Sequence, residues 1–455
     1  MSNLPSSTAL PLGPKSSQDE QAFHLFSRPY AFLEDCAKKY GDCFTLDFKS
    51  LGKHVFFSNP EAIQQIFSGK PEDFHAGEGN AILQPFLGKY SLLTLDEKLH
   101  KRHRRMIMPA FQPQSVIEFS RIMKKIVEEA VAQWEPGQVL SMQDVMLAIS
   151  LDVILGAIFG TKNKAWLRSM KKALEKCIGD LGANPLPLMS DDDVAGTHSK
   201  AKGKSAWDQF RRKLAGIDKL IYAEIKRRRS SPHGSEQDML SLILAAKDEH
   251  HATLPDNELR DEIMTLIIAG HETTATTLAW AFYWIHREPH VLKKCLAELS
   301  SRGSAFASPY LDAILKETLR IYPVIPLVSR KLQNAVKIQG WALPPGVHAT
   351  ACIYLTHYRK DIFPDPHTFN PDRFLEKQFS SFEYYPFGGG ARRCIGMYFA
   401  QAEMKIILSH ALTHCSFALV NGEKVRPVRR SVTLSPSGGM KMKILSTGLN
   451  IVTKS

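Results

Sequence analysis

The densest chemistry in the sequence lies near the C-terminus, in Phe387-Gly388-Gly389-Gly390-Ala391-Arg392-Arg393-Cys394-Ile395-Gly396. Glycine loses more backbone freedom on folding than any other residue, so three in a row mark a tight turn or a close approach. A backbone passing close to a flat ligand has that need. Cys394 stands directly before residues 396–414, which have helical spacing. A helix N-terminus carries partial positive charge and free N–H groups, and both favour a thiolate. A thiolate is a metal ligand, and Arg392 is placed to pair with a carboxylate on the same ligand. The bland alternative is a glycine loop with a buried cysteine.

A second group is Ala269-Gly270-His271-Glu272-Thr273-Thr274, in the middle of the long apolar run 259–285. Glycine inside a helix costs roughly 1 kcal/mol relative to alanine. At Gly270 that cost has a use if the helix must pass over a flat cofactor. Thr273 can bond back to the carbonyl of Ala269, which bends a helix and opens a groove. Ordinary core packing is the competing reading. Elsewhere, Glu317 and Arg320 are one helical turn apart and can pair on one face. His100 and Arg104 share a face of a strongly basic segment, which is either a ligand-facing stripe or a solvated surface.

Together these segments resemble the cytochrome P450 family. Phe387, Gly390, Arg392, Cys394 and Gly396 fall in register with its haem-binding signature F-x-x-G-x-R-x-C-x-G. Glu317-Thr318-Leu319-Arg320 is similar to its E-x-x-R motif. The resemblance implies a third partner, Arg373 in Phe369-Asn370-Pro371-Asp372-Arg373-Phe374, making a buried triad. Ala269 to Thr274 resembles [AG]-G-x-[DE]-T-[TS]. That match implies that Thr273 steadies dioxygen while Glu272 supplies protons through water. His100 and Arg104 resemble W-x-x-x-R, with His in place of Trp, and Arg330 resembles a further partner of the haem propionates. The implied cofactor is haem b, with Cys394 as axial thiolate ligand of the iron. Resemblance to soluble bacterial members, especially cyanobacterial ones allied to fatty-acid hydroxylases, extends over most of the chain.

The elements that must position these residues follow from the rest of the sequence. The chain has 455 residues, 44% hydrophobic and 23% charged, enough for a large globular core. Residues 40–58 alternate around Phe44, Leu46, Phe48, Val55 and Phe57, which predicts short strands. Helical spacing predicts helices over 112–135, 140–159, 207–229, 259–285, 308–321 and 396–414, with Asp256 or Asn257 capping the fourth. Proline and glycine are frequent from 323 to 390, which predicts short strands and an irregular meander. Residues 179–204, with Pro185, Pro187 and the acidic run 191–193, predict a long mobile connection. The fold class is mainly α with a small β-rich lobe, the cytochrome P450 fold. Residues 1–15 are expected to be a flexible leader, and 16–455 a single haem-thiolate domain.

No run of about 20 uncharged apolar residues suggests a transmembrane anchor, and the N-terminus lacks the pattern of a secretory signal. A cytoplasmic location is the expectation. The seven cysteines contain no C-x-x-C pair, which argues against a disulfide framework or a zinc ribbon. Net charge is +12, but no basic arm with interleaved aromatics points to nucleic acid.

The resemblance implies a monooxygenase that inserts one oxygen atom from O2 into a C–H or C=C bond. Members that use peroxide directly generally lack the acid–threonine pair present here. A non-enzymatic haem-binding sensor or carrier is the alternative. With no visible flavin or iron–sulfur module, electrons are expected from separate redox partners, a ferredoxin or flavodoxin with its reductase. Arg102, Arg105, Arg393 and Lys405 would form a basic docking face for such acidic carriers. By analogy the pocket draws on Leu83, Phe86, Leu87, Leu266, Ala269, Val324, Ile325 and Leu327. That implies a hydrophobic small-molecule substrate: a fatty acid, terpenoid or polyketide-like molecule.

Overall fold

The computed structural model describes residues 9–183, 200–230, 237–302, 305–420, 425–430 and 433–448, without side chains for 178–183 and 200–207. The helices that matter for the site are α1 (Gln18–Ser27), α2 (Pro29–Tyr40), α3 (Pro60–Ser68), α4 (Glu97–Ile107), α5 (Pro113–Val131), α6 (Met142–Phe159), α7 (Lys164–Ala183), α8 (Lys200–Ser230), α9 (Asp256–Arg287), α10 (Pro309–Ile321) and α11 (Met397–His414). The strands are β1 (Cys43–Phe48), β2 (Gly52–Phe57), β3 (Phe74–His75), β4 (Val139–Ser141), β5 (Leu327–Leu332), β6 (Val336–Ile338), β7 (Trp341–Leu343), β8 (His348–Cys352), β9 (Cys415–Leu419), β10 (Pro427–Arg430), β11 (Thr433–Pro436) and β12 (Lys441–Thr447).

α9 runs through the helical body with α6 packed along it. Residues 274–285 of α9 are all buried, so this half of the helix is enclosed on every side and core throughout. α6 is also buried around most of its circumference. Among the described residues it is the one helix long and apolar enough to cross a membrane, but 78% of that window lies inside the protein. The expected cap of α9 is corrected. Pro255 occupies the N-cap without a side-chain bond, and Asp256 lies in the first turn. Its carboxylate instead accepts from Arg229 Nε at 2.7 Å, while still favouring the helix dipole.

The lobe is built on a five-stranded sheet in the order β1-β2-β8-β5-β3. β1 alternates as its residues predict, with Phe44, Leu46 and Phe48 buried. Phe44 and Phe56 face each other across the β1–β2 pair. β2 pairs in parallel with β8, which places Arg330 of β5 one strand further in. Smaller sheets are β4-β12-β9, β6-β7 and the hairpin β10-β11.

Two expectations about irregular segments change. Residues 9–15 are not loose: Thr45 N donates to Leu12 O at 3.2 Å, and Thr45 Oγ1 to Pro11 O at 2.6 Å. A Cβ on Gly13 would lie 1.8 Å from the Thr45 carbonyl oxygen, so glycine permits this docking. Residues 1–8 lie outside the described residues. Of the expected connection 179–204, helix continues to Ala183 and resumes at Lys200, and 184–199 lie outside the described residues.

Candidate functional site

The loop before α11 is pinned from behind. Tyr384 Oη donates to Lys316 O at 3.0 Å on α10, and Tyr385 N donates to His357 Nε2 at 3.1 Å. Gly388 and Gly390 have φ of 65° and 63°, the left-handed region that glycine adopts without penalty. A Cβ on Gly389 would fall 2.2 Å from the Phe67 ring, and one on Gly390 would fall 2.1 Å from Phe67 O. Within the chain, then, the close approach is to the end of α3. Cys394 N closes the loop on Phe387 O at 2.9 Å. Gly396 is the N-cap of α11 at φ −86°, and its absent Cβ would make only an ordinary 3.6 Å contact with Phe111. Nothing in the chain itself demands glycine there.

Among the seven cysteines, Cys394 alone is exposed; Cys43 is half-buried and the other five are buried. Yet the Cys394 sulfur is surrounded by protein, and its desolvation raises the thiol pKa. A surface that is open but deep belongs to an internal cleft rather than to bulk solvent. The Gly396 N–H and the charges of Arg104 and Arg393 pull the other way without prevailing. The helix start therefore does not by itself make a thiolate. A bound metal does, because coordination deprotonates the sulfur. Cys415, at the start of β9, is a poor rival: it is buried within the hydrophobic core, away from the arginines.

Cations gather beside this loop. Arg392 Nη1 donates to Leu92 O at 3.1 Å, and Nη2 reaches Leu95 O and Asp96 Oδ1. Arg104 Nη2 donates to Arg393 O at 2.8 Å. Arg330 is buried, with Nη1 donating to Ser329 O at 2.8 Å. Burial lowers Arg330 and Arg392 to about 10 each. His100, one turn before Arg104, is lowered to about 3 by burial and by the charges of Arg392, Arg104 and Arg330. Among the described residues, Arg392 pairs with Asp96, while Arg104 and Arg330 in the same neighbourhood have no carboxylate partner. That excess suits a dianionic group, and with the Cys394 sulfur the donor set fits the iron and propionates of haem b.

α9 presents the third part. Thr273 Oγ1 donates to Ala269 O at 2.7 Å, the back-bond its position predicts. Ala269 is exposed and Thr273 half-buried, although buried residues flank them along the helix. The expected cofactor role of Gly270 is corrected. A Cβ there would meet Ile154 Cδ1 at 3.0 Å, so this glycine lets α9 pack on α6. Ser150 Oγ adds a bond to Gly270 O at 3.3 Å. Glu272 is buried and accepts from Thr433 Oγ1 at 2.7 Å, and burial raises its pKa. The segment 91–96 ties the parts together. Leu92 N donates to Glu262 and Thr265 Oγ1 to Ser91 Oγ on the α9 side, while Leu92, Leu95 and Asp96 receive Arg392 on the other.

Glu317, Arg320 and Arg373 are brought together and buried. Arg320 grips Glu317 through two bonds of 2.7 and 2.9 Å, and Arg373 Nε reaches Glu317 Oε1 at 3.2 Å. Arg320 Nη1 also donates to His357 O at 3.0 Å, which joins the triad to the residue that holds Tyr385.

The expected docking face is largely neutralised. Arg102 pairs with Asp248 and Glu258, Arg105 with Glu249, and Lys405 with Asp312. These acids are remote in sequence, so the segment's own charge overstated its field. Arg393 alone of the four has no carboxylate partner among the described residues, and its Nη2 lies 3.3 Å from Met397 Sδ. Of the expected pocket residues, Phe86, Leu87, Leu266 and Val324 are core, whereas Ala269 is exposed and Leu83, Ile325 and Leu327 are half-buried. Asp96, Phe67 and Thr433 were not foreseen. Each acts across a long sequence separation, with no local signature.

The chain matches the family model described as Cytochrome P450 over residues 21–444. It is 35% identical over 445 residues to "Putative cytochrome P450 135B1" of Mycobacterium tuberculosis, covering 97% of this chain and 93% of that protein. It is 32% identical over 442 residues to "Putative cytochrome P450 135A1" of the same organism, covering 96% of each. Among solved structures, "Retinoic acid bound cyanobacterial CYP120A1" is similar with a TM-score of 0.81 and 24% identity, over 96% of this chain and 99% of that one. "Crystal structure of cytochrome P450DA heme domain" is similar with a TM-score of 0.82 and 23% identity, over 96% and 97%. At those identities the two structures establish the shared fold.

Proposed function

The chain belongs to the cytochrome P450 family, and from that premise we propose that Cys394 is the thiolate holding the iron of its haem b and that its substrate is a hydrophobic small molecule. The family's activity makes the protein a haem-thiolate monooxygenase. The observation that carries the residue assignment is the position of Cys394, an exposed residue whose thiol is nonetheless desolvated, beside Arg104, Arg330 and Arg392, of which only Arg392 pairs with a described carboxylate, Asp96.

When bound, haem b supplies reductive activation of dioxygen and insertion of one oxygen atom into a C–H or C=C bond. The chain supplies the setting. Arg330, Arg392 and Arg104 offset the propionate charges. His100 is kept neutral by burial and then by those arginines, so it adds a hydrogen-bonding ring without further charge. Thr273 spends its proton on Ala269 O and leaves its oxygen free to accept a hydrogen bond from water in the groove. Glu272, its pKa raised by burial, retains a proton more readily than a free carboxyl group. Thr433 holds one of its oxygens and so fixes the direction of the other. Half-buried Leu83, Ile325 and Leu327 offer apolar surface with no charge to match, which favours a fatty acid, terpenoid or polyketide-like substrate. Electrons arrive from a ferredoxin or flavodoxin with its reductase.

The test is a two-stage assay on haem-loaded protein. A panel of lipids and terpenoids is screened for shifts of the ferric haem spectrum, and each binder is turned over with reductase, ferredoxin and labelled dioxygen. A product carrying one labelled oxygen atom supports the proposal. Ligands that shift the spectrum but are never oxidised would instead favour the sensor or carrier reading.

A further inference from the structure

A line of oxidisable rings crosses the protein from α9 to its surface. Trp280 of α9 is fully buried. It stands two turns past Thr273 on the same side of the helix, about 10 Å further along the axis. Its ring centre lies 4.2 Å from that of Tyr322, the residue that ends α10. Tyr322 is stacked on Tyr30 of α2 at 6.2 Å, with 6° between the ring planes. Tyr30 is stacked in turn on Tyr354 at 3.8 Å and 4°. Tyr354 lies in the short helix Ile353–His357. Ring contacts of this kind also arise from packing alone, but the hydroxyl partners of these rings differ in a way that packing does not require.

A phenol gives up an electron readily only if its proton can leave as well. Burial raises the pKa of Tyr30, Tyr322, Tyr354 and Tyr358, so each holds its proton at rest. Tyr30 Oη donates to Pro323 O at 3.1 Å and Tyr358 Oη to Ile321 O at 2.9 Å. Trp280 Nε1 donates to Leu434 O at 2.9 Å. A backbone carbonyl accepts a hydrogen bond but does not carry a proton away at neutral pH. Tyr354 differs, because its hydroxyl donates to Glu34 Oε1 at 2.5 Å. Glu34 is exposed, so a proton placed on it exchanges with water. Among the described residues, Tyr354 is the one ring of the line bonded to a carboxylate. The inner end of the line is therefore an indole on the helix of the Thr273 groove, and the outer end is a phenol with a base.

We propose that Trp280, Tyr322, Tyr30 and Tyr354 conduct electrons from the surface to the haem site and give the protein a second activity, the reduction of hydrogen peroxide formed there when no substrate takes up the oxygen. This rests on the haem reading above. In each pass Tyr354 loses one electron to the line and its hydroxyl proton to Glu34, leaving a neutral phenoxyl radical. The electron moves inward through Tyr30, Tyr322 and Trp280. Two passes supply two electrons, which with two protons convert one hydrogen peroxide to two waters. An external one-electron reductant such as ascorbate restores Tyr354 in each pass by returning an electron and a proton.

The test uses the full-length haem-loaded protein without substrate. It is mixed with hydrogen peroxide, frozen at once and examined by electron paramagnetic resonance. The wild type should show a phenoxyl radical. Tyr354→Phe should lose that signal. Glu34→Gln should lose it too, because glutamine keeps an acceptor for the hydroxyl but is no base. Tyr358→Phe should keep it. With ascorbate present, the wild type should consume two ascorbates per peroxide, and its haem should bleach more slowly than that of Tyr354→Phe. Should Tyr354→Phe fail to fold, the surface variant Glu34→Gln decides the matter. No radical in the wild type, or the wild-type signal undiminished in Tyr354→Phe or Glu34→Gln, overturns the proposal. If the reduced carbon monoxide complex still shows its thiolate-type band, those results defeat the electron path alone. Absence of that band from the wild type overturns the haem reading and the path together.

Discussion

Gly390 and Phe67 meet backbone to backbone, so that a Cβ on Gly390 would fall 2.1 Å from the Phe67 carbonyl oxygen. This contact sets the height of the Cys394 loop against the end of α3. Gly390→Ala must both strain a left-handed residue, at about 1–2 kcal/mol, and push the loop off α3. Haem content and melting temperature should both fall. Gly388→Ala is the control, because Gly388 has a similar φ of 65° but nothing within 4 Å of its missing Cβ. It should be only mildly destabilised and keep its haem. Equal haem-to-protein absorbance ratios for the two variants would mean that the Phe67 contact does not position the loop.

Glu317 accepts from Arg320, Arg373 and the Asn370 N–H with no exposed surface of its own. Removing one partner leaves buried charge unpaired, at a cost of about 3–5 kcal/mol. Glu317→Ala and Arg320→Ala should therefore yield unstable, haem-poor protein. Stable variants with full haem loading, judged by thermal melts and the haem absorbance ratio, would show that the triad is dispensable.

Glu403 of α11 is fully buried, and neither carboxyl oxygen has a hydrogen-bond partner. Burial pushes its pKa up to about 8, and the nearby Ser150 hydroxyl, which donates to Gly270 O instead, does not reverse this. With an unfolded value of about 4.3, the folded protein holds the extra proton between these limits. The stability it confers is full below about pH 4 and is lost as the pH rises through about 8. Glu403→Gln should flatten the fall in melting temperature between about pH 4 and 8. A slope identical to that of the wild type would mean that another group titrates there.

What could be read along the chain was what is local. The Cys394 loop, the Glu317–Arg320 turn and the Thr273 back-bond each depend on residues a few positions apart, and their spacing announced them. The period of two in β1 and the helical periods were legible for the same reason. Gly270 misled because a glycine in a helix looks alike whether it faces a ligand or a neighbouring side chain, and only Ile154 of α6 decides. Arg102, Arg105 and Lys405 promised a basic face because their acidic partners lie far along the chain. Asp96 and Thr433 gave no sign, since their roles arise when distant segments meet.

Thr273→Ala should separate electron use from product formation. The fold should survive, because alanine has the higher helix propensity. The groove loses the oxygen that Thr273 holds toward it, and hydrogen peroxide should accumulate at the expense of product. The measurement is product formed per reductant consumed, with peroxide assayed in parallel, once a substrate is in hand. Unchanged coupling would assign Thr273 to helix bending alone.

The central claim is that Cys394 holds the haem iron, and the carbon monoxide spectrum of the reduced protein tests it most directly. The wild type should show the red-shifted absorption band of thiolate ligation, Cys394→Ser should lose it, and Cys415→Ser should keep it. Retention of that band in Cys394→Ser would place the ligand elsewhere and contradict the account.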